Sequence, residues 1–302
     1  MKISMSLFAL ALAAASTATA NAQFPVTYKN CQYEFTLTEA PKRAVSLNQG
    51  TTEMLLGLGL EDSMVGTAYL DDAIWPEFED AYNKVPVLEE SSYPTIESLS
   101  ESDPDFIYAS YKSAFEARTE TSRQSRIEYH EWLEEDCSLL IESSSGSSNS
   151  SYCRGELYDE GIPSYLQTPQ CEISDFRPTE VTLEDLYQEI NDVASIFGAQ
   201  DNAKSLIKTI EDHFRDAVAL HNNEEEPISV LFLDSWGDET PLVGACCGSI
   251  NAIIEYAGAE NVFKDLGLEE RATWDRASWE DIAERDPDVI ILVDASWDPA
   301  GT

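Results

Sequence analysis

Apolar and polar positions along the chain follow two periods, and the switching between them predicts alternating strands and helices. Ala44 to Leu47, Phe106 to Ala109, Ser229 to Leu233 and Val289 to Val293 are short, nearly continuous apolar runs. Runs of that length suit strands covered on both faces. Between them stand segments with apolar residues every three or four positions. Thr51 to Leu58 ends at Gly59, and Ile250 to Tyr256 ends at Gly258. A glycine just past the last periodic residue is a helix stop, because it takes the left-handed conformation that closes the final turn.

The order also repeats. PTIESLSESDPDFI from Pro94 and ASWEDIAERDPDVI from Ala277 align at one constant offset: Glu97 with Glu280, Glu101 with Glu284, and Asp103-Pro104-Asp105 with Asp286-Pro287-Asp288. Each copy reads as a short helix, a proline stop and a strand. Ser278 and Asp281 resemble a capping box. Both halves run strand, helix, a second short strand near Met64 or Val262, helix, strand. The expected fold class is therefore α/β, two Rossmann-like lobes with parallel sheets.

A long helix is expected to join the lobes. Thr182 and Asp185 open it as a capping box, and Leu183, Leu186, Ile190, Val193 and Ile196 keep the helical period up to Gly198. A second segment follows from about Asp201 to His221, with Ala203, Leu206, Ile207, Ile210, Phe214 and Val218 on one face. Such a connector limits hinge motion. The first half continues past its DPD strand through Glu128 to Glu135 and the strand-like Ile162 to Leu166, whereas the second reaches Thr302 soon after Asp294. The second lobe is thus expected to be incomplete, with an uncovered sheet edge, and the chain to be a C-terminally truncated form. The expected division is a signal peptide over 1–22, a first lobe over 23–177 with a Ser-rich insertion at 137–153, a helical connector over 178–222 and a second lobe over 223–302.

Charge narrows the partners. Among 302 residues, 18 are Lys or Arg and 57 are Asp or Glu, a net charge of −39. Nucleic acid and anionic lipid both need clustered cations, so neither is an expected partner. The 43% of hydrophobic residues is enough to fill a core, which excludes wholesale disorder.

Lys2, the apolar run Met5 to Ala15 and the small residues up to Ala20-Asn21-Ala22 read as a secretory signal peptide, too short to span a membrane. The protein is expected to be secreted, periplasmic, or on the cell surface or in an endomembrane lumen. No Cys follows the cleavage site, so a lipid anchor of the bacterial type is not indicated. Six cysteines in an exported chain suggest disulfides. Cys137 and Cys153 bracket the Ser-rich stretch, while Cys31 and Cys171 are free to pair with each other or with the rest. Cys246 and Cys247 are adjacent, and backbone geometry makes them a poor mutual pair. Three scattered His make a metal site unexpected. Asn149-Ser150-Ser151 is a glycosylation sequon in the polar loop.

Three stretches resemble one family: PKRAVSLNQGTTEMLLGLGLEDSMVGTA from Pro41, the PTIE segment from Pro94, and CGSINAIIEYAGAENVF from Cys247 followed by the second DPD copy. They are similar to cluster-A substrate-binding proteins, the solute-binding components of ABC importers for iron-siderophores, haem and cobalamin. The sequon and the missing lipid anchor lean toward an algal or other eukaryotic member. The resemblance implies two α/β lobes joined by a long helix, ligand in the cleft between them, and a surface Glu on each lobe that docks on the permease. Glu97 and Glu280 hold the matching positions. Their plainer reading is exposed carboxylates favoured by a helix N-terminus.

In parallel α/β sheets ligands bind at the carboxyl ends of the strands. That rule selects loops carrying Asn48 and Gln49; Tyr69, Asp72 and Trp75; Tyr111 and Lys112; Ser235, Trp236 and Asp238; and Ser296 and Trp297, with Trp274 and Arg276 near the rim. Of these, Asn48, Tyr69, Trp75, Tyr111, Lys112, Trp236, Trp274 and Trp297 are the expected ligand contacts, and Trp236 leads because Gly237 frees its loop. Aromatic rings cover a large, partly apolar ligand at low entropy cost, although core or surface packing explains any one of them. Family members that take hydroxamates often place an Arg before the first PxxE motif; here LEESSYP has none.

The expected function is extracytoplasmic binding of an iron-siderophore complex without catalysis or cofactor, with a membrane permease or a reductase as delivery partner. Alternatives are binding of haem or a cobalamin-type tetrapyrrole, a metal-dependent hydrolase resting on Asp71, Asp72 and Asp238, or an interaction protein that kept the fold and lost the ligand. No phosphate-binding Gly-rich loop and no GxSxG nucleophile elbow supports an enzyme.

Overall fold

A computed structural model describes residues 24–115, 152–219, 227–235 and 240–293. The segment expected to be a signal peptide, the Glu128 to Glu135 segment, the sequon, Cys137, Trp236, Asp238, Ser296 and Trp297 lie outside the described residues.

The chain opens with an antiparallel hairpin, β1 (Val26–Asn30) and β2 (Tyr33–Leu37). The first large sheet follows: β3 (Ala44–Leu47), β4 (Met64–Ala68), β5 (Val87–Glu89), β6 (Phe106–Ala109) and β7 (Ser164–Leu166). Its order is β5-β4-β3-β6-β7, and every pair is parallel. The apolar runs are continuous because both faces are covered. Phe106 and Tyr108 enter the core beneath Leu55, Ile190, Val193 and Phe197, while Ile107 and Ala109 enter the opposite core with Leu99, Phe115 and Leu157.

Helices α1 (Gln49–Gly57), α2 (Glu79–Tyr82), α3 (Ile96–Glu101) and α4 (Arg154–Asp159) link these strands. The start of α1 is held by hydroxyls: Thr51 donates to Leu47 O at 2.9 Å and Thr52 to Asn48 O at 2.8 Å. Thr52 also shares hydrogen bonds with Ser46 and Thr67, at 2.9 and 2.7 Å, so one buried hydroxyl row ties the helix to β3 and β4.

Helices α5 (Leu183–Phe197) and α6 (Gln200–Val218) form the connector. The capping box at Thr182 and Asp185 is present, and Gly198 takes a left-handed φ of 74° that divides the rod in two. The interruption expected at Gly198 is thus present, because a left-handed residue cannot continue the hydrogen-bond ladder. Ile190, Val193, Ala194 and Ala203 belong to the first lobe's core. Beneath β6 and β7, Tyr108 and Gln167 donate to Oε1 of the buried Glu189, and Tyr165 donates to Asp192 at 3.2 Å.

The second sheet contains β8 (Ser229–Ser235), β9 (Leu242–Gly244), β10 (Glu260–Asn261), β11 (Trp274–Arg276) and β12 (Val289–Leu292). Helices α7 (Ser249–Tyr256) and α8 (Trp279–Arg285) pack with it. β10 and β12 run parallel to β8, but β9 is antiparallel to both β8 and β11. The expectation of a parallel second sheet is corrected here to a mixed one. The physical reason is the short link between β8 and β9, which suits an antiparallel return and is too short for the helical crossover a parallel pair requires. In contrast to β6, all four residues of β12 are exposed, and among the described residues β12 pairs only with β8.

The DPD repeat is a structural repeat. Asp103 and Asp286 both take positive φ, 47° and 45°, ending α3 and α8. Two residues later, Asp105 accepts from the amides of Lys42 and Arg43, each at 2.8 Å, just before β3. Asp288 accepts from the Ser229 amide at 2.9 Å and its hydroxyl at 2.7 Å, at the start of β8. The same carboxylate pins the first strand of each sheet.

Disulfides join Cys31 to Cys171 and Cys246 to Cys247. Cys153 is also disulfide-bonded; Cys137, its expected partner, lies outside the described residues. The adjacent pair corrects the expectation of a poor mutual pair. Between β9 and α7 the backbone bends, and three backbone hydrogen bonds hold the turn, so the extended geometry that would separate neighbouring side chains does not apply.

Candidate ligand cleft between the lobes

The C-terminal ends of β3, β4 and β6 place the first lobe's candidates together. Tyr69 leaves β4 with a positive φ of 58° and meets Tyr93 edge to face, ring centroids 4.9 Å apart. The Tyr93 hydroxyl donates to Asn48 Oδ1 at 2.9 Å and lies 3.1 Å from Ser113 Oγ. Asn48 is itself buried, at the N-terminus of α1, with φ 84° and no capping bond from its side chain. Its role here is to anchor Tyr93.

Tyr111 follows β6 and is partly open. Burial, then the carboxylates of Asp71 and Asp234 and the Tyr69 ring, push its hydroxyl up to about 12. It therefore remains a neutral hydrogen-bond donor at every ordinary pH. Asp234 belongs to β8, so the end of a second-sheet strand lies within electrostatic reach of Tyr111. Lys112 begins the short helical turn Lys112–Phe115 beside it. Ser110, at the same strand end, has a buried hydroxyl without a hydrogen-bond partner, 3.4 Å from where a Cβ on Gly50 would stand.

Other expected residues have partners outside this cluster. Trp75 is 56% exposed, and its amide donates to Glu53 Oε1 at 2.9 Å. Gln49 holds the same loop, accepting from the Asp72 amide at 3.0 Å. Trp274 packs on Phe232, ring centroids 5.7 Å apart, and so braces β11. Arg276 donates to Thr240 O at 2.7 Å. Glu97 and Glu280 are both exposed in the first turns of α3 and α8. Those helices are capped alike, by Thr95 accepting from Ser98 N–H and Ser278 from Asp281 N–H.

Sequence reasoning passed over Tyr93, Ser113 and Asp234 as members of this cluster. The available signal for Tyr93 was its place immediately before the PTIE motif. Asp234 stood one residue before the Ser235 loop end that the strand rule selected. Among the described residues no group of three His, Cys, Asp or Glu is arranged to hold a metal ion, and no helix is long and apolar enough to cross a membrane.

Residues 151–300 match the family described as periplasmic binding protein. A solved periplasmic binding protein from Veillonella parvula is 26% identical, with a TM-score of 0.64 over 87% of this chain and 73% of that one. An ABC-type Fe3+-hydroxamate transport protein from Saccharomonospora viridis is 22% identical, with a TM-score of 0.60 over 89% and 80%. The periplasmic haem-binding protein RhuT from Roseiflexus sp. RS-1 is 19% identical, with a TM-score of 0.52 over 84% and 76%. Comparison with curated proteins gives no match. With the family match over residues 151–300 and this fold over 87% of its length, the chain is similar to periplasmic binding proteins of the cluster-A solute-binding type.

Proposed function

We propose that the protein captures a ferric hydroxamate-siderophore complex, neutral or cationic, outside the cytoplasm and performs no chemistry on it. The observation that carries this reading is the grouping of Tyr69, Tyr93 and Tyr111 at the strand ends, with Asp71 of one lobe and Asp234 of the other both within electrostatic reach of Tyr111. Rings supply the apolar cover for such a complex, and their hydroxyls donate to its oxygens. The carboxylates and the net charge of −39 disfavour an anionic catecholate complex. The fold relatives that take Fe3+-hydroxamate and haem support the same ligand range. Location outside the cytoplasm accords with the family and with an N-terminal signal peptide. Glu97 and Glu280, on matching helices of the two lobes, are the proposed contacts to an ABC permease.

Tryptophan and tyrosine fluorescence titration with ferrichrome, ferrioxamine B, haem and cobalamin tests the reading. Saturable quenching by the two hydroxamates is expected, with Tyr111→Ala weakening it about tenfold or more, roughly the 1.4 kcal/mol that one well-placed ring contact supplies. Saturation by haem alone would overturn the siderophore assignment, and no saturation by any of the four would overturn binding.

A further inference from the structure

A strap on the second-lobe side, the segment from Leu266 to Thr273, fastens that lobe to the first lobe. Arg271 Nη1 donates to the carbonyls of Ser174, Asp175 and Arg177 at 3.3, 3.2 and 2.7 Å. Arg177 Nη1 returns a bond to Glu270 O at 2.9 Å, and Gln170 Nε2 donates to Thr273 Oγ1 at 3.2 Å. The first-lobe partners follow β7 and are tied to the hairpin by Cys31–Cys171.

What holds the strap is the turn at the adjacent cysteines. Ala245 N–H donates to Thr273 O at 2.9 Å, Cys246 N–H to Leu266 O at 3.1 Å and Cys247 N–H to Ala272 O at 3.4 Å. Gly248 lets the turn approach this closely, since a Cβ there would stand 2.1 Å from Thr273 Cγ2. A bond between neighbours closes almost no loop and so constrains the unfolded chain very little. Its effect is local: it fixes two consecutive residues so that their amides stay aimed at the strap.

We propose that Cys246–Cys247 is a redox-sensitive latch on the contact between the lobes. Oxidised, it holds the strap; reduced by a dithiol, it frees the turn and lets the lobes part. In the reduction the S–S bond breaks and two electrons and two protons pass from the dithiol to the two Sγ atoms. The dithiol closes into its own disulfide. Both sulfurs are buried, so exchange proceeds through local opening of the turn. That the latch also governs how long ligand is held rests on the binding reading above.

The test compares the oxidised protein, the protein treated with dithiothreitol, and the Cys246→Ser/Cys247→Ser double variant. Alkylation and mass spectrometry identify which bonds have opened. Hydrogen exchange over 170–177 and 266–273, read without ligand, is expected to rise about tenfold in the double variant and in protein reduced at this pair. Arg271→Gln should produce the same rise in oxidised protein. Unchanged exchange in the double variant would overturn the proposal, as would a rise shared equally by β3 and β6, which signals general loss of stability. Ferrichrome dissociation should also quicken about tenfold on reduction. Failure of ferrichrome to bind the oxidised protein would count against the ligand reading alone, because the exchange measurement does not use it.

Discussion

Glu189 shows how one residue couples the core to pH. It is buried beneath β6 and β7, accepting from Tyr108 and Gln167. Burial raises its carboxyl above the usual carboxylate range, more than the two donors lower it. A raised carboxyl binds its proton more tightly in the folded chain than in the unfolded one. Its contribution is therefore favourable in acid and is lost as pH rises from the unfolded value, about 4.3, through the folded one. Glu189→Gln keeps the acceptor oxygen and removes the ionisation. Thermal unfolding should find the variant more stable than the parent at pH 7, with the gap closing toward pH 4. A constant gap across that range would mean that Glu189 does not titrate on folding.

At the scale of elements, the DPD motif determines where each sheet begins. Asp105→Ala removes two charge-assisted bonds to the amides of Lys42 and Arg43 and should cost about 2 kcal/mol in denaturant unfolding. Asp288 performs the same task for Ser229, whose amide and hydroxyl lower its carboxyl. That contribution is present at neutral pH and fades as pH falls through the folded value. Gly66 is a second control, because a Cβ there would stand 2.6 Å from Leu88 Cδ1. Gly66→Ala should force Leu88 aside and cost about 1–3 kcal/mol. The elements around these residues were legible because period, proline and capping are local signals: α3, α8, both DPD stops and the strands they feed stand as expected. The antiparallel β9 was not legible, since a three-residue strand has no period to read. The candidate cluster was half legible. The strand-end rule located Tyr69 and Tyr111, but the partnership of Tyr93 with Asn48 spans 45 positions and leaves no local mark.

Across the whole molecule, the cysteines divide their work by the length of chain they close. Cys31–Cys171 spans 140 positions and joins the opening hairpin to the segment after β7. Replacing both by Ser should cost roughly 2–4 kcal/mol, seen as a lowered denaturation midpoint with the slope altered little. The net charge of −39 keeps copies of the protein apart. That repulsion has a particular object in β12, where Val289 to Leu292 are all exposed and, among the described residues, only β8 is paired with the strand. Such a strand is a template for another strand. Dissolved in dilute buffer, the molecule is guarded from itself by its carboxylates. Strong brine, or acid near pH 4, takes the guard away and should turn that bare ribbon into a seam along which molecules zip together.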